Sequence, residues 1–372
     1  MIRVLHSVSN MARAGIETFL MNYYREMDRN QVQFDFLANK PMPGEYDEEI
    51  RSMGGNVYVS PGLNPLHFPR YERFMANLLR SHPDIKIVHS HNGTLGYYAL
   101  KSAKDAGAPV RIAHAHNTQI LRDSKYPLKL LCKQLLPGAA TDYWSCGRDA
   151  GLFYFGEKRW KSSGFILHNA IDLPKFQFQL EVRRRLRQLH HLDGCFVISH
   201  VGRFNRQKNH TRLLDIFAAV AKTDPEARLV LIGIGELEQS IREKAQALGV
   251  QDRVLFLGQM ANVNEWYQAM DCFVLPSLFE GLPVVGIEAQ ASGLPCFFSD
   301  QVTDEVLLLP DACQVSLQAS DDEWANKILA VKQANKNREQ GTDIVRQAGY
   351  DIHAEGRKLQ DIYLKMAARA KA

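Results

Sequence analysis

The chain has 372 residues, a length that favours two domains because single hydrophobic cores stop growing at about 250–300 residues. With 45% apolar and 23% charged residues, its composition is that of an ordinary globular protein and excludes extensive disorder. A formal net charge of +4 is too small to indicate nucleic-acid binding, although it would help to attract an anionic substrate or an acidic lipid surface.

Cysteine usage and hydrophobic segments indicate the cellular compartment. The six cysteines are scattered without a C-x-x-C pair or metal-like spacing, which favours reduced thiols that pack as small hydrophobes. The N-terminal MIRVLHSV lacks the features of a signal peptide, and no segment approaches the roughly 20 apolar residues needed to cross a bilayer. These features predict a cytoplasmic protein.

In the N-terminal half, short apolar runs alternate with segments of helical periodicity. Ile2–Val8 is predicted as a strand and Ile16–Met27 as the helix that follows it. Further strands are predicted at Val32–Leu37, Asn56–Val59, Ile85–His89, Val110–His114 and Asp142–Ser145, with helices that include Pro69–Leu79 and Thr94–Lys104. This alternation predicts a parallel sheet with helices on both faces.

The same pattern restarts near Phe165, after which a second parallel sheet is predicted. Its strands are Phe196–Val201, Arg228–Ile232, Val254–Leu257, Cys272–Leu275 and Pro295–Phe298, and its helices are Asn209–Ala221, Glu236–Leu248, Asn264–Met270 and one containing Glu288–Ser292. The segment Glu157–Leu180 is predicted as the domain junction, and Asp351–Lys371 as a final helix. We therefore expect an α/β chain with an N-terminal domain of residues 1–167, joined by helix 351–372, and a C-terminal domain of residues 168–350.

Candidate ligand-binding residues follow directly after the predicted strands, because ligands bind at the carboxyl ends of parallel strands. Gly15 lies between the first strand and its helix, where a glycine lets a phosphate approach the backbone and the helix N-terminus. The alternative is a turn glycine without a ligand, and the dinucleotide fingerprint G-x-G-x-x-G is not present.

Two histidine-rich strand ends are the next candidates. HSHN (89–92) and HAHN (114–117) could each present an imidazole to a sugar hydroxyl or a phosphate oxygen, although structural histidines are the ordinary alternative. No carboxylate or thiol accompanies them to complete a metal-ligand set, so no metal site is expected.

Charged residues in the C-terminal half lie in two loops that follow strands. Arg203 and Lys208, within GRFNRQKN, could converge on a diphosphate, although charged loops are usually only solvated. Glu280 lies in the second loop, while Glu288 lies on the following helix among apolar neighbours. A partly buried carboxylate needs a partner, and adjacent sugar hydroxyls can provide one. Capping or surface glutamates are the alternative.

These residues resemble the retaining glycosyltransferases of family 4, of the polysaccharide-biosynthesis type. The most specific part is the series GRFNRQKN, LIGIGELEQSI, FLGQM and FEGLPVVGIEAQASGLP, which stands in the family's order and approximate spacing. The resemblance implies the GT-B architecture, in which two Rossmann-like domains face each other across a cleft. It also implies that the final helix crosses back to the N-terminal domain.

Roles for single residues are implied by the same resemblance. Arg203 and Lys208 would bind the donor diphosphate, and Glu288 would hold the nucleotide ribose. Glu280 and His116, the latter in preference to His114, would lie beside the transferred sugar as the catalytic pair. Donor contacts are also implied for Gly15 and for the backbone at Gly281 and Leu282.

The chain departs from the family pattern at two positions. Ala14 stands where a second glycine is frequent, so the loop would be less flexible. Pro283 lies where backbone amides usually face the phosphates, and proline has no N–H to donate, so one such contact must be absent or replaced.

The implied activity is retaining transfer of a sugar from a nucleoside diphosphate sugar, with UDP as the expected nucleotide, to a glycan or lipid-linked glycan acceptor. Two cations on the leaving diphosphate would need neither a metal nor another cofactor. The alternatives are a GT-B sugar-nucleotide epimerase and a non-catalytic sugar-nucleotide-binding subunit. The apolar segment Tyr126–Leu136, with interspersed lysines, is predicted either as a peripheral contact with the inner face of the membrane or as a core helix.

Overall fold

The computed structural model describes residues 1–13, 15–63, 67–120, 122–332 and 338–369. The chain divides into two compact units, an N-terminal domain of Met1–Ile171 with Asp351–Ala372 and a C-terminal domain of Asp172–Tyr350. The sequence predicted the first boundary four residues earlier, after position 167. Ala14 and positions 370–372, at the end of the predicted helix 351–372, lie outside the described residues.

A parallel sheet forms the centre of the N-terminal domain. Its described strands are β1 (Ile2–Val8), β2 (Val32–Ala38), β3 (Val57–Val59), β4 (Ile85–Ser90), β5 (Val110–Ala115), β6 (Asp142–Ser145) and β7 (Gly164–Ile166), in the order β3-β2-β1-β4-β5-β6-β7. The helices are α1 (Gly15–Glu26), α2 (Asp47–Ser52), α3 (Phe68–Ser81), α4 (Gly96–Asp105), α5 (Tyr126–Ala139), α6 (Arg148–Phe155) and α7 (Glu157–Ser163).

The C-terminal domain repeats this arrangement. Its described strands are β8 (Phe196–Val201), β9 (Ala227–Ile232), β10 (Val254–Phe256), β11 (Cys272–Leu275), β12 (Cys296–Ser299) and β13 (Cys313–Val315), in the order β10-β9-β8-β11-β12-β13. Its helices are α8 (Leu180–Leu189), α9 (His210–Thr223), α10 (Glu238–Ala247), α11 (Val263–Ala269), α12 (Val284–Ala291), α13 (Asp321–Ala330) and α14 (Gly341–Gln347). Short 3-10 helices lie at Gly93–Leu95, Leu173–Phe176, Gln251–Arg253, Asp304–Val306 and Arg338–Gln340.

The last helix, α15 (Ile352–Arg369), belongs to the N-terminal domain and packs against α1. A Cβ at Gly356 would lie 2.6 Å from the Cβ of Glu26, so this close helix contact requires glycine. Tyr363 on α15 is fully buried in the core formed by the central strands and α1. None of the described helices is both long and apolar enough to span a bilayer.

The apolar runs confirm the predicted central strands. Strands β2 and β8 are buried along their whole length, as expected when helices cover both faces of a parallel sheet. The short strands β7 and β13 were missed because three residues carry too little pattern. The predicted junction Glu157–Leu180 contains α7 and β7 as well as the boundary between the domains.

Candidate functional site

Each sheet has one point where the chain reverses its direction of strand addition. In the N-terminal domain this point lies between β1 and β4, and in the C-terminal domain it lies between β8 and β11. The carboxyl ends of the two strands at such a point leave a crevice in which ligands bind. Gly15 follows β1 and His91 follows β4, while Lys208 follows β8 and Glu280 follows β11.

Lys208, predicted to bind the donor, and Glu280, predicted as a catalytic residue, form an ion pair. The Lys208 ammonium donates to Glu280 Oε1 over 2.7 Å, and the two side chains are only 16% and 8% exposed. Gln207 Nε2 donates to the other carboxylate oxygen over 3.2 Å. A carboxylate so far removed from water depends on these donors, so the pair is both a charged site and a structural contact.

The loops after β8 and β11 are joined by several further hydrogen bonds. The amide of Leu278 donates to the carbonyl of Gln207 over 2.9 Å, and Gln207 Nε2 donates to the carbonyl of Phe279 over 3.0 Å. Asn209 Nδ2 donates to the carbonyl of Pro276 over 3.0 Å. Asn209 has a φ of 55°, a left-handed conformation that asparagine tolerates better than most residues, and α9 begins directly after it.

Arg203 lies on the exposed side of the loop after β8. Its side chain is 71% exposed, and its Nη2 donates to Glu236 Oε2 over 3.2 Å. The neighbouring loop after β9 packs closely, since a Cβ at Gly233 would lie 2.1 Å from the carbonyl oxygen of Gly202. In this structure Arg203 therefore pairs with Glu236, apart from the Lys208–Glu280 pair.

Glu288 is half-buried on α12, where its carboxylate accepts a hydrogen bond from the Tyr267 hydroxyl over 3.1 Å. Burial raises the pKa of Glu288 to about 7, although the hydrogen bond from Tyr267 acts in the opposite direction. Burial and the adjacent carboxyl raise the pKa of Tyr267 well above its usual value, so the hydroxyl keeps its proton. Glu288 is therefore a partly buried carboxyl, as its apolar neighbours predicted, and Tyr267 is one of its hydrogen-bond partners.

The predicted backbone sites lie at the starts of two helices. Gly281 and Leu282 are buried just before α12, and Pro283 caps that helix with a carbonyl that accepts from the amide of Gly286 over 3.0 Å. Gly15 is exposed as the first residue of α1, and a Cβ built there would meet no described atom within 4 Å. The space beside Gly15 is therefore open.

Five histidines gather at the β1–β4–β5 side of the N-terminal sheet. They are His6, His89, His91, His114 and His116, of which His116 is half-buried and the others are buried. His6 was not among the candidates predicted from the sequence, because it lies inside a strand. The pairing of β1 with β4, which places His6 opposite His89, is the signal that would have found it.

Three of these histidines form one hydrogen-bonded chain. His6 Nδ1 lies 3.1 Å from His91 Nε2, and His91 Nδ1 lies 2.9 Å from His116 Nε2. Burial lowers the pKa of His6 and the pKa of His116 to about 3, and burial also lowers the pKa of His91 well below its usual value. All three imidazoles are therefore neutral at neutral pH.

A second chain includes Tyr363 of α15. The Tyr363 hydroxyl lies 2.8 Å from His89 Nδ1, and His89 Nε2 lies 3.1 Å from His114 Nδ1. Two overlapping groups, His6–His89–His91 and His91–His114–His116, each hold three ring nitrogens within 4.8 Å of one another. A metal at either group would have to replace hydrogen bonds between imidazoles. Carboxylates and thiols were considered as metal ligands beside the histidine-rich motifs, whereas His6 was not, and the absence of a metal stays a prediction.

Comparisons with known proteins identify the family. Residues 183–347 match the model of glycosyl transferases group 1, and residues 13–141 match that of glycosyltransferase family 4. The chain is 38% identical to the Bacillus subtilis protein named as glycosyltransferase EpsF, over 97% of this chain and 96% of EpsF. It is 26% identical to an Escherichia coli protein named UDP-Gal:alpha-D-GlcNAc-diphosphoundecaprenol alpha-1,3-galactosyltransferase, over 98% and 97% of the two chains. The chain therefore belongs to glycosyltransferase family 4, and it is an enzyme of the glycosyltransferase class.

Solved structures confirm the predicted fold class. HepE from Anabaena, crystallised with UDP-glucose, matches with a TM-score of 0.81 at 16% identity, over 98% of this chain and 99% of HepE. Sucrose-phosphate synthase from Thermosynechococcus elongatus matches with a TM-score of 0.82 at 18% identity, over 99% and 100% of the two chains. The fold is the GT-B type, with two parallel-sheet α/β domains.

Proposed function

We propose that this enzyme is a retaining glycosyltransferase that moves a hexose from a UDP-sugar to a hydroxyl of a glycan or lipid-linked glycan in surface polysaccharide biosynthesis. The observation that best supports a donor-binding site in the C-terminal domain is the buried Lys208–Glu280 pair, which lies at the strand ends where such folds bind ligands. The name of the E. coli relative specifies a UDP-sugar donor and a lipid-linked acceptor, and a Staphylococcus aureus relative, 22% identical over 98% of this chain and 99% of its own, is named for capsular polysaccharide biosynthesis.

The donor diphosphate would bind to Lys208 and Arg203. These cations would stabilise the negative charge that develops on the leaving group, in a role that requires no metal. Arg203 is held by an exposed ion pair with Glu236, and such pairs contribute only about 0–1 kcal/mol, so the guanidinium can turn to a phosphate at small cost.

The remaining residues would position the sugar nucleotide. Glu288 would accept hydrogen bonds from the ribose hydroxyls, and the backbone at Gly15, Gly281 and Leu282 would approach the phosphates. Glu280 is engaged by Lys208, which favours a role beside the transferred sugar over one as a nucleophile. The departing phosphate would then take the acceptor proton on the same face of the sugar, and His116 would contact the sugar.

A panel of UDP-hexoses tests this proposal in two stages. Thermal-shift measurements select a donor, because a ligand of the folded state raises its stability. Release of UDP is then measured with and without a glycan acceptor. Conversion of the donor without transfer would support the epimerase instead, and binding without turnover would support the non-catalytic subunit.

The role of Arg203 can be tested in the same assay. We expect Arg203→Ala to raise the KM for the donor about tenfold, because it removes a charge-assisted hydrogen bond. Arg184→Ala is the matched control, since Arg184 is also exposed in the C-terminal domain and paired with Glu181 over 2.9 Å. Equal KM values for the two variants would rule out a diphosphate contact by Arg203.

We also propose that the protein is cytoplasmic and contacts the inner face of the membrane through α5. Leu130, Leu131 and Leu135 on this helix are 41%, 51% and 41% exposed, whereas Leu136 is buried. Exposed leucines beside lysines favour adsorption to anionic lipid. Co-sedimentation with phosphatidylglycerol vesicles should therefore decrease for Leu131→Ser/Leu135→Ser.

The control for this experiment replaces two exposed leucines of the other domain. Leu189 and Leu248 are 66% and 38% exposed, so Leu189→Ser/Leu248→Ser removes a similar apolar surface outside α5. Lack of vesicle binding by the unmodified protein would rule out the membrane contact.

A further inference from the structure

The His6–His91–His116 chain can hold its protons in only two ways. A neutral imidazole has one N–H donor and one lone pair, so each contact needs a donor on one ring and an acceptor on the other. With nitrogen separations of 3.1 and 2.9 Å, both contacts are hydrogen bonds. The position of the proton on any one ring therefore fixes the positions on the other two.

The two ends of this chain differ in their surroundings. At one end, His6 Nε2 is buried and has no hydrogen-bond partner among the described residues. At the other end, His116 is half-buried. If the hydrogen bonds are donated from His116 towards His6, His6 Nε2 carries a buried N–H without an acceptor. If they are donated from His6 towards His116, His6 Nε2 has only an unused lone pair. Buried N–H groups without an acceptor are the rarer case in proteins, so donation towards His116 is favoured.

We propose that His6 and His91 are positioning residues that fix His116 as the Nδ1–H tautomer. His6 Nδ1–H donates to His91, and His91 Nδ1–H donates to Nε2 of His116. Nδ1 of His116 then carries the hydrogen and can donate it to an oxygen of the transferred sugar. The sugar contact rests on the proposed function, whereas the tautomer does not.

The rings around this chain offer little competition for its protons. His116 stacks on His114 with centroids 4.1 Å apart and contacts Phe19 edge-on at 5.8 Å. His6 packs against Phe34 and Phe36 at 4.3 and 5.6 Å. The second chain bonds to His114 through the Nδ1 atom of that ring, so within the described residues it shares no hydrogen bond with His116. His89 lies on β4, two residues before His91, and belongs to the second chain. It is therefore a matched control for His91.

The tautomer can be measured directly in the ligand-free protein. Long-range proton–nitrogen correlation spectra of protein labelled with nitrogen-15 histidine distinguish the two neutral forms, and loss of a signal in His116→Gln assigns it. We expect Nδ1–H in the unmodified protein and in His91→Gln, whose amide can still donate, but a changed tautomer population in His91→Phe. An Nε2–H tautomer in the unmodified protein would overturn the inference. Stoichiometric zinc bound through His91 and His116 would also overturn it, because coordination replaces their hydrogen bond.

Activity provides the second readout, as UDP release from the UDP-hexose selected by thermal shift. We expect His91→Phe to lower kcat about tenfold with little change in KM, because the lost hydrogen bond acts through the orientation and protonation of His116. His91→Gln and His89→Phe should stay within about threefold of the unmodified protein.

The two possible failures are distinguishable. If the unmodified protein releases no UDP from any donor, the proposed function fails while the tautomer measurement still decides this inference. If it is active and His91→Phe is as active as His89→Phe, the positioning role is wrong while the proposed function stands.

Discussion

The switch points of the two sheets hold polar groups of different kinds. In the N-terminal domain the strand ends carry neutral imidazoles bonded to one another, whereas in the C-terminal domain Lys208 and Glu280 carry opposite charges. The hydrogen-bonded histidines avoid the cost of desolvating ions, but their arrangement holds only while the imidazoles stay unprotonated. A buried ion pair is stable only while both charged side chains are present. The first arrangement is therefore sensitive to acid, and the second to loss of one side chain.

Buried histidines connect this difference to stability. A histidine with a lowered pKa binds fewer protons when folded than when unfolded, so its domain loses stability as the pH falls below about 6.5. The N-terminal domain has five such histidines, and the C-terminal domain has two, His200 and His210. Among the described residues, each domain also has one carboxyl whose pKa is raised to about 7, Glu17 and Glu288 respectively, which acts in the opposite direction.

The largest expected effect is therefore an early loss of N-terminal stability in acid. Between about pH 7 and about pH 5, a histidine whose native pKa is near 3, such as His6 or His116, costs on the order of 2 kcal/mol. The N-terminal domain has five histidines with a lowered pKa, against two in the C-terminal domain. Hydrogen exchange, corrected for intrinsic rates, should show β1, β4 and β5 losing protection before β8 and β11. Equal loss in both domains would contradict this difference between them.

The ion pair can be broken by a single substitution. We expect Lys208→Ala to lower the kcat for UDP release at least about 100-fold, because it removes a cation from the developing leaving-group charge. It should also lower the free energy of unfolding by about 3 kcal/mol, since Glu280 is left buried without its ammonium partner. Denaturant titration and UDP release measure the two effects.

Two further variants sharpen this result. Lys208→Ala/Glu280→Gln should recover much of the stability but not the activity, because the uncompensated charge is gone. Lys244→Ala breaks another ion pair of the same domain, in which Lys244 lies 2.6 Å from Asp215 and the two side chains are 26% and 30% exposed. Because this pair is closer to solvent, its loss should lower the free energy of unfolding by less than about 1 kcal/mol. Activity of Lys208→Ala within about threefold of the unmodified protein would show that the pair is structural.

The contact between Lys208 and Glu280 was easier to anticipate from the sequence than the contacts among the N-terminal histidines. Lys208 and Glu280 could be singled out because each follows a buried strand, and strand ends are recognisable from apolar runs. Their contact depends on β8 lying beside β11, which chain order does not reveal but the common strand order of such sheets supplies. The ion pair of Arg203 with Glu236 involves a neighbouring loop and could not be predicted from a strand pattern.

The N-terminal cluster required contacts over long sequence separations. His6 resembles any polar residue within a strand until β1 is placed beside β4. Tyr363 lies 274 positions from His89 along the chain, and only the return of α15 to the first domain brings them together. The histidine-rich motifs were therefore visible as separate candidates, while their arrangement into chains was not.

The smallest expected effect concerns the carboxyl of Glu288 on α12. Because the pKa of Glu288 is raised to about 7 in the folded state, this group lowers stability as the pH rises from about 4.5 to about 7. Ribose hydroxyls that donate to the carboxylate would favour its charged form and lower its pKa. Binding of UDP at about pH 7 should therefore release roughly half a proton from this group.

Calorimetry of UDP binding in two buffers of different ionisation enthalpy measures that release. We expect Glu288→Gln to release fewer protons by this amount and to bind UDP about tenfold more weakly, because the amide is a poorer acceptor for two hydroxyls. Glu181→Gln, at an exposed position on α8, controls for the loss of one negative charge. Proton release by Glu288→Gln equal to that of the unmodified protein would place the ribose elsewhere. If Glu288→Gln also binds UDP with the affinity of the unmodified protein, the role of this carboxyl is limited to its hydrogen bond with Tyr267.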